Sequence, residues 1–426
     1  MNVALQSVAG YGKVRAEWEV AKFPTVVFFQ EGPGLRKWQW TNVGMKVINV
    51  TNILSDGQID TANTRRFISL DEFNEKYRHF AVDDGDIVIA SSGNTYGKIG
   101  RISAKDLPVM MNTSVIRLRS ADKRRLDDDF LYAFLRSDLF RNQMESFVIG
   151  SAQPNFGPSH LKQMVMPLPP LPVQRRIAGI LSAYDELIEN NQGRIKILEE
   201  MARSLYREWF VHFRFPGHDK VKMVPSTLGP IPQGWEVVSF TDIADVLSGG
   251  TPKTDIAEYW NGNIPFFTPR DAPACFYVQD TDKHVTELGL SKCASELYAP
   301  DTVFITARGT VGKVALPSVP MAINQSCYAL RGRTGIPQRF LFLMTLQQVD
   351  YLKTNTGGAT FDTIVVDTFH RMQVFKPRLD LIARFGGRTD AMFEAVNTLQ
   401  CQTENLHRTR DLLLPRLLSG QVTLQS

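Results

Sequence analysis

One stretch, residues 173–210, constrains the fold of this chain more than any other. Its apolar and helix-packing residues recur at alternating steps of four and three, from Ile177 to Trp209. That spacing is the heptad seam of a helix that packs along a partner helix. At 1.5 Å per residue such a helix would be about 57 Å long, which exceeds the core of a small domain. The stretch therefore predicts a long connecting helix with a second helix beside it.

The same seam returns near the end of the chain, where Phe385 corresponds to Ile177 and Leu417 to Trp209. Pro415 is expected to end or bend this second helix near its last turn. Charged residues such as Glu199 and Glu200 are expected on the other faces. The predicted core of the helix pair is Ile177, Leu181, Tyr184, Ile188, Asn191, Ile195, Leu198, Leu205, Met392, Val396, Leu399, Leu406 and Leu413. The alternative is two ordinary amphipathic helices on separate cores, and the matching register favours the pair.

Shorter matches in the same order show that the whole chain is a repeat. Residues 16–23 match 233–240, and residues 86–99 match 301–314. Asn112 corresponds to Asn324. The distance between matches drifts by only a few residues, as expected for two copies of one fold with unequal loops. The sequence therefore predicts a tandem duplication in which each globular unit is followed by a long helix.

Within each globular unit the pattern is mixed, which predicts the α+β class. β-branched runs at 86–90 and 302–306 are typical of strands, whereas 130–140 and 339–348 are typical of short helices. Residues 212–232, rich in Pro and Gly, are interpreted as a linker. Because the second helix leaves the second unit, it would run antiparallel to the first, and the molecule would be a dumbbell with an approximate two-fold axis. The predicted domains are 1–170, 171–213, 214–380 and 381–426, the second and fourth being the helices.

Composition places the chain among ordinary soluble globular proteins. It has 426 residues, of which 43% are hydrophobic and 22% charged, and its net charge is +4. A mild excess of positive charge is compatible with nucleic acid but does not establish it. We identify no signal peptide and no apolar run that would span a bilayer, so we expect a cytoplasmic protein without membrane contact. The four cysteines lack CxxC spacing and are expected to be reduced.

Motifs for catalysis are mostly missing from the sequence. Residues 93–99 and 309–314 invite a phosphate-loop interpretation, but Lys98 and Lys313 are followed by Ile99 and Val314 rather than by Ser or Thr. A strand–turn–strand with glycines at positive φ is favoured there. The residues two before these lysines are Tyr96 and Val311, so neither turn provides the acidic pair of a metal-dependent nuclease. We also find no [DN]-P-P-[YF] loop of an amino-methyltransferase and no G-x-G-x-x-G turn. We therefore expect no catalytic residue, bound cofactor or metal in this chain.

Polar residues in the predicted loops are of types that bind DNA. Arg, Asn and Ser read base edges, while Lys chiefly neutralises phosphate. Each of these residues could equally belong to a solvated turn. The candidate DNA-binding residues are Arg36, Lys37, Asn52, Ser91, Ser92, Asn94, Tyr96, Lys98, Lys253, Thr254, Arg270, Thr306, Arg308, Thr310 and Lys313.

The long-helix region resembles the central shared region of the specificity subunit of type I restriction–modification enzymes. The resemblance lies in the proline-rich entry at 167–172, the Q-R-R-I-A sequence at 174–178, and the pair Asp185 and Ile188. The G-G-T-P sequence at 249–252 is similar to the start of that family's target-recognition domains. The first half has Gly-Pro-Gly at 32–34 instead, and the second half lacks a Q-R-R-I-A sequence.

The resemblance implies a DNA-recognition subunit that is not itself an enzyme, within a restriction system of the kind used in phage defence. Each domain would read one half of a split double-stranded DNA target, and the helices would hold the half-sites about 34 Å apart. The helices would also dock two adenine methyltransferase subunits, which carry S-adenosylmethionine. Restriction subunits, which use ATP and Mg, would join the complex.

Two other classes of function remain open from the residues alone. One is a structural protein that joins protein partners, which would explain the helices but not the polar loops. The other is a solitary or fused DNA-modifying enzyme with an unrecognised active site. A methyltransferase gene beside the gene of this chain would favour DNA recognition, and methyl transfer by this chain alone would favour an enzyme.

Overall fold

The computed structural model describes residues 4–8, 12–54, 56–93, 96–148, 156–355, 363–422 and 424. The chain divides into two compact units, and each of the two long helices contributes residues to both. Unit 1 comprises residues 1–186 and 406–426, and unit 2 comprises residues 187–405. We call the globular part of unit 1 the first domain and the globular part of unit 2 the second domain.

Unit 1 contains short strands and helices ahead of the first long helix. Its strands are β1 Leu5–Val8, β2 Gly12–Arg15, β3 Glu19–Lys22, β4 Val27–Glu31, β5 Met45–Ile48, β6 Phe67–Ile68, β7 Ile87–Ala90, β8 Ile99–Arg101, β9 Val109–Met111, β10 Val115–Ser120 and β11 Val165–Leu168. Its helices are α1 Leu70–Glu72, α2 Asp128–Leu135, α3 Asp138–Val148, α4 Pro158–Leu161 and the start of α5 Leu171–Tyr206.

Two sheets form the centre of the first domain. One has the order β4-β10-β7-β8 and is antiparallel throughout. The other has the order β6-β5-β9, with β5 parallel to β9 and antiparallel to β6. Alternate residues of β10, such as Ile116 and Leu118, face a core that also contains Phe130 and Phe134 of α2. This alternation is the period-two pattern of a strand with one face against a helical layer.

Unit 2 contains the remaining elements. Its strands are β12 Met223–Val224, β13 Ile231–Pro232, β14 Glu236–Ser239, β15 Ala244–Ser248, β16 Trp260–Phe267, β17 Tyr277–Val278, β18 His284–Val285, β19 Val303–Thr306, β20 Val314–Pro317, β21 Ala322–Ile323, β22 Cys327–Gly332 and β23 Gln373–Lys376. Its helices are α6 Phe240–Ile243, α7 Glu287–Ser291, α8 Gln338–Asn355, α9 Val366–Arg371 and most of α10 Leu379–Leu418.

The second domain repeats the sheets of the first. The order β15-β22-β19-β20 reproduces β4-β10-β7-β8 and adds β17 at its edge. The order β18-β16-β21 reproduces β6-β5-β9, including the parallel pairing of β16 with β21. In both domains a separate two-stranded pair, β3 with β11 and β14 with β23, closes the fold. The prediction of two similar α+β domains in tandem is confirmed.

Three predicted elements differ from those in the structure. The short helix predicted at 339–348 continues to Asn355 as α8. The single helix predicted at 130–140 is divided into α2 and α3, because Ser137 interrupts it. The Ser137 hydroxyl donates to the carbonyl of Phe134 over 2.6 Å and accepts from the Phe140 N–H over 3.3 Å. A serine that bonds the backbone in this way ends one helix and caps the next.

The predicted linker at 212–232 is instead part of the packed second domain. Phe215 and Ile231 are buried in the main core of unit 2. The Phe215 ring stacks on Trp235 at 5.8 Å, and Phe213 meets Trp235 edge to face at 5.3 Å. The Pro and Gly residues indicated a loop correctly, but the aromatic residues between them bind that loop to the core.

The long helices begin at Leu171 and Leu379, and the second passes Pro415 to end at Leu418. In unit 1 the start of α5 shares a core with the end of α10, through Ile177, Leu181 and Leu417. In unit 2 the helical turn Arg207–Val211, which directly follows α5, meets the start of α10, where the Trp209 and Phe385 rings lie 5.6 Å apart. Within each unit the two helix segments are therefore antiparallel.

Every predicted core residue of the helix pair is at least half-buried. Ile177, Leu181, Ile188, Asn191, Ile195, Val396 and Leu399 are buried, and Tyr184, Leu198, Leu205, Met392, Leu406 and Leu413 are half-buried. Two threonines on α10, Thr389 and Thr403, are buried as well, and each donates its hydroxyl to the carbonyl four residues earlier. This internal bond satisfies a hydroxyl that would otherwise be costly to bury.

Glu199 corrects the expectation that charged residues of α5 occupy the solvent-facing sides. It is buried, and it accepts a hydrogen bond from the Phe276 backbone N–H over 2.6 Å. Burial raises the pKa of the Glu199 carboxyl to about 7, against lowering contributions from that N–H and from Arg203. None of the described helices is both long and apolar enough to cross a membrane.

Candidate nucleic-acid interface

The strands of the first domain end together at one edge of their sheets. Just after β4 the Gly32 N–H donates to the Val115 carbonyl over 3.0 Å, and just after β7 the Ser91 N–H donates to the Ser114 carbonyl over 2.9 Å. Asn112, in the turn between β9 and β10, donates to the end of β5 over 3.1 Å. Several loops therefore meet along this edge. We call residues 32–34, 49–52, 91–92 and 112–114 the first loop edge.

The second domain builds the same edge with the same backbone bonds. The Gly249 N–H donates to the Cys327 carbonyl over 3.4 Å, and the Ala307 N–H donates to the Ser326 carbonyl over 2.7 Å. Asn324 donates to the end of β16 over 3.0 Å. We call residues 249–251, 268–271, 307–308 and 324–326 the second loop edge. The repeat thus extends from the sheets to the loops that the sheets position.

Glycine is required at one matched position of each edge. A Cβ on Gly32 would clash with the backbone carbonyl of Asn112, and a Cβ on Gly249 would clash with that of Asn324. The two glycines therefore occupy the same place, although only the second lies in a G-G-T-P sequence. Gly-Pro-Gly in the first domain retains the glycine that packs against the Asn112 carbonyl.

The glycine-rich turns after β7 and β19 are strand–turn–strand connections, as the sequence favoured. Gly97 and Gly312 have φ of 80° and 74°, values that favour glycine. The Ala90 N–H donates to the Lys98 carbonyl, and the Thr306 N–H donates to the Lys313 carbonyl, each over 2.9 Å. The turn in the second domain is therefore one residue shorter. As a result, Ala90 of β7 corresponds in the structure to Thr306 of β19, one residue later than in the ungapped match of 86–99 with 301–314.

The structure places the candidate DNA-binding residues in three environments. Arg36, Lys37, Lys253, Thr254, Arg270, Arg308, Thr310 and Lys313 are exposed; Ser92, Tyr96 and Lys98 are half-buried; Asn52, Ser91 and Thr306 are buried. Asn94 lies outside the described residues. Exposure leaves the first set available for contact with DNA.

Asn52 is a structural residue of its loop. Its amide donates to the Asp60 carbonyl over 2.6 Å and to the Thr64 hydroxyl over 2.8 Å, and its carbonyl oxygen accepts from the Asn49 N–H over 2.9 Å. These three bonds use both N–H donors and one of the two oxygen lone pairs of the Asn52 side chain, so only one lone pair remains for a further hydrogen bond. We therefore withdraw Asn52 from the candidate contacts.

Ser91 and Thr306 are withdrawn for the same reason. Ser91 is 1% exposed and Thr306 is fully buried. The Thr306 hydroxyl accepts from the Lys313 N–H over 2.9 Å and donates to the Thr310 carbonyl, so that it closes the turn from inside. Polar turn residues that bind the backbone look the same in a sequence as polar turn residues that face solvent.

Tyr96 and Lys98 line a cavity of about 550 Å³ in unit 1. Its other walls come from α3 and the last turns of α10, with Met144 and Arg410 among the lining residues. Burial, and next the nearby Glu145, raises the pKa of the Tyr96 hydroxyl. The two residues thus lie between the turn and the helices rather than on the loop edge.

Three exposed candidates of the second domain lie on two neighbouring loops. The turn that carries Arg308 and Thr310 meets the loop after β16, where a Cβ on Gly309 would lie 4.0 Å from the Pro269 side chain. Arg270 follows directly in that loop. Arg270 and Arg308 therefore lie on neighbouring loops of the second loop edge, and Thr310 lies in the turn that follows Arg308.

A braced turn in the first domain, residues 36–40, carries another polar cluster, and we call it the Trp38 turn. Its short 3₁₀ segment is Lys37–Gln39. Gln39 is buried; its side chain accepts from the Arg36 N–H over 2.8 Å and donates to Glu72 over 2.6 Å and to the Tyr77 hydroxyl over 3.0 Å. Arg36, Lys37 and Trp38 are exposed around it.

Each domain holds a cation over a tryptophan near this place. The Arg66 guanidinium lies 5.5 Å from the Trp40 ring centre, and the Lys283 ammonium lies 5.6 Å from that of Trp260. Sequence reasoning identified neither pair, although Arg66 and Lys283 stand at matched positions of the repeat. A tryptophan ahead of the matched cation in both halves, Trp40 before Arg66 and Trp260 before Lys283, is the signal that could have found them.

Among the described residues, no group of three or more His, Cys, Asp or Glu side chains could hold a metal ion. The four cysteines are free thiols. Burial raises the pKa of Cys327 to about 12 and that of Cys275 to about 11, so neither thiol is ionised at neutral pH. The second loop edge exposes Arg270 and Arg308, which offer hydrogen-bond donors and positive charge, whereas the first loop edge carries neutral polar side chains.

Comparison with known proteins links this architecture to one family. The family model described as the type I restriction modification DNA specificity domain matches residues 16–200 and 232–382, more than half of the chain. The MjaIX type I restriction enzyme specificity subunit of Methanocaldococcus jannaschii is 30% identical over 154 residues, covering 35% of this chain and 36% of that protein. In that match the chain spans about a third of its relative.

A longer match and a solved structure extend over nearly the whole chain. The putative MjaX specificity subunit of the same organism is 21% identical over 427 residues, 97% of this chain and 96% of the relative. A crystal structure of the S subunit of a type I restriction–modification system from M. genitalium has a TM-score of 0.59 at 18% identity, covering 98% of this chain and 99% of that one. At this identity the likeness shows a shared fold.

Proposed function

Because this chain belongs to the family of type I restriction–modification DNA specificity proteins, we propose that it reads a bipartite DNA target, one half-site with each domain. The observation that carries the proposal is the duplicated loop edge. Gly32 and Gly249 hold the same backbone packing, while the exposed side chains beside them differ between the domains. Two domains with the same backbone scaffold and different exposed side chains would recognise two different half-sites.

The candidate contacts sort by chemistry. Arg36, Arg270 and Arg308 offer the forked donors that pair with guanine in the major groove. Lys37, Lys253 and Lys313 offer point charges suited to phosphate. The net charge of +4 is small for a protein that would neutralise many phosphates alone. We propose that partner subunits share this neutralisation.

We further propose that the chain is non-catalytic and scaffolds its complex through the long helices. Two methyltransferase subunits, with S-adenosylmethionine, would dock on them, and restriction subunits, with ATP and Mg, would join. Exposed apolar residues on the helices support docking: Ile197 is 62% exposed, Met201 48% and Leu412 58%. Such side chains on an otherwise charged helix surface are suited to a protein interface.

The decisive experiment co-expresses this chain with a type I methyltransferase subunit of the same host and maps N6-methyladenine across the host DNA. We expect methylation at one motif made of two short half-sites with a fixed unread spacer, and none when either protein is expressed alone. A contiguous motif would contradict the bipartite target. Methylation by this chain alone would show that it is an enzyme. A stable complex without selective methylation or DNA binding would indicate a purely structural protein.

A further inference from the structure

Trp38 is the most exposed large apolar side chain among the described residues, at 78%. It projects from a turn that is fixed from below, since Gln39 is 5% exposed and bonds Arg36, Glu72 and Tyr77. A loose loop could fold its tryptophan back onto the surface. Here the bonds of Gln39 hold the turn, and the indole lies in solvent with little contact to the described residues.

The chain segment around Trp38 carries positive charge. Between Glu31 and Asp56 the chain has no acidic residue, and it carries Arg36, Lys37 and Lys46. Neither Arg36 nor Lys37 forms an ion pair with another described residue, and both are exposed. Two cations without an ion-pair partner directly before a tryptophan would repel a basic partner and attract a phosphate backbone.

The second domain lacks this feature at the corresponding place. Its short turn Ala257–Tyr259, just ahead of Trp260, exposes Glu258 where the first domain exposes Trp38. The tryptophan that follows is retained in both domains beneath a cation, Arg66 or Lys283. The scaffold of the turn is therefore common to both domains, and the exposed aromatic residue belongs to the first alone.

We propose that Trp38 stacks on a base of the half-site read by the first domain, with Arg36 and Lys37 on the flanking phosphates. An indole presents a flat face to any base, and such stacking contributes binding energy that is independent of hydrogen-bond readout. The stacked base leaves its neighbour in the duplex, so the contact opens a base step. This inference rests on the proposed function, because it assigns one contact within that DNA complex.

The test uses the complex with the methyltransferase subunit and a duplex that carries the mapped motif. 2-Aminopurine is placed in turn at non-methylated positions of both half-sites, and its fluorescence reports loss of stacking. With the unchanged protein we expect a fluorescence rise at one position of one half-site. Trp38→Ala should abolish that rise and weaken binding about tenfold, while Trp38→Phe should retain most of both.

Matched variants separate stacking from other roles of the turn. Val43→Ala removes another exposed apolar side chain of the same connection, 77% exposed, and should change neither signal. Lys37→Ala should weaken binding to all sequences and reduce the slope of log affinity against log salt by about one. Thermal unfolding of each variant checks that the fold is retained.

The outcomes distinguish this inference from the proposed function. If Trp38→Ala binds the motif with unchanged affinity and fluorescence, Trp38 does not stack on DNA. If that variant instead fails to assemble with the methyltransferase subunit, the Trp38 turn is a protein interface and the inference is overturned. If the unchanged complex does not bind the motif selectively, the proposed function itself fails.

Discussion

At the scale of single residues, Glu199 makes the stability of the protein depend on pH. Folding raises the pKa of its carboxyl from 4.5 to about 7, so the folded state binds the proton more tightly than the unfolded state does. The contribution of this residue is complete below about pH 4.5 and is lost as the pH rises through 7. The size of the shift corresponds to about 3 kcal/mol.

We therefore expect Glu199→Gln to flatten the fall in stability between pH 5 and pH 8. A glutamine can still accept the Phe276 N–H with its amide oxygen and carries no charge. Urea unfolding of the full chain at several pH values measures the effect, and Glu189→Gln, at an exposed position of the same helix, is the control. An equal fall in both variants would show that another group is responsible.

Gly32 gives a second prediction at this scale. A methyl group here would overlap the Asn112 carbonyl, so that one loop of the first edge must move. We expect Gly32→Ala to destabilise the protein by about 1–3 kcal/mol. We also expect it to weaken recognition of the DNA half-site that the first domain would bind. Gly34→Ala is the matched control, because a Cβ on Gly34 meets nothing within 4 Å. Equal melting temperatures for the two variants would contradict the packing argument.

The orientation of single polar side chains could not be predicted from the sequence. The loops were recognised from their polar residues, yet Asn52 and Thr306 turned inward to bond the backbone. Gln39 braces the Trp38 turn through Glu72, more than thirty residues away in the chain. Which polar side chain turns inward is decided by such tertiary partners, and local composition does not contain them.

At the scale of elements, the heptad pattern predicted both long helices because their apolar spacing persists over many turns. The strands at Ile87–Ala90 and Val303–Thr306 were predicted nearly to the residue, since β-branched runs between turn residues leave few alternatives. The interruption at Ser137 was missed. One serine within a helical pattern carries little signal until its hydroxyl is seen on the Phe134 carbonyl.

Asp185 joins three helices of unit 1, and we expect its loss to loosen them. Its carboxylate accepts from Arg136, which follows α2, and from Arg410 of α10, each over 2.6 Å. Asp185→Ala would leave two partly buried guanidinium groups without this acceptor, at a cost of about 1–3 kcal/mol. Asp138→Ala breaks the exposed pair with Arg141 and should change the stability little. Chemical denaturation of both variants makes the comparison, and equal losses would contradict a special role for Asp185.

At the scale of the whole molecule, the repeat relates two domains through two helices, and we propose that helix length sets the unread spacer of the DNA target. Seven residues inserted after Asn191, with seven more after the corresponding Leu399, keep the heptad register and add about 10 Å. The mapped methylation motif should then gain about three base pairs of spacer. Insertion in one helix only should disrupt the register and reduce methylation. If the spacer is unchanged in the protein with both insertions, the length of the helices does not set the spacer.

The division of unit 1 between the two ends of the chain has a consequence for biosynthesis. Residues 1–186 complete their packing with residues 406–426, for example where the Arg15 N–H bonds the Ser419 carbonyl over 2.8 Å. A ribosome makes residues 406–426 only after the entire second domain has been synthesised. Residues 1–186 therefore lack these contacts until then, and a premature stop codon after residue 405 would remove packing from the part of the protein that was made first.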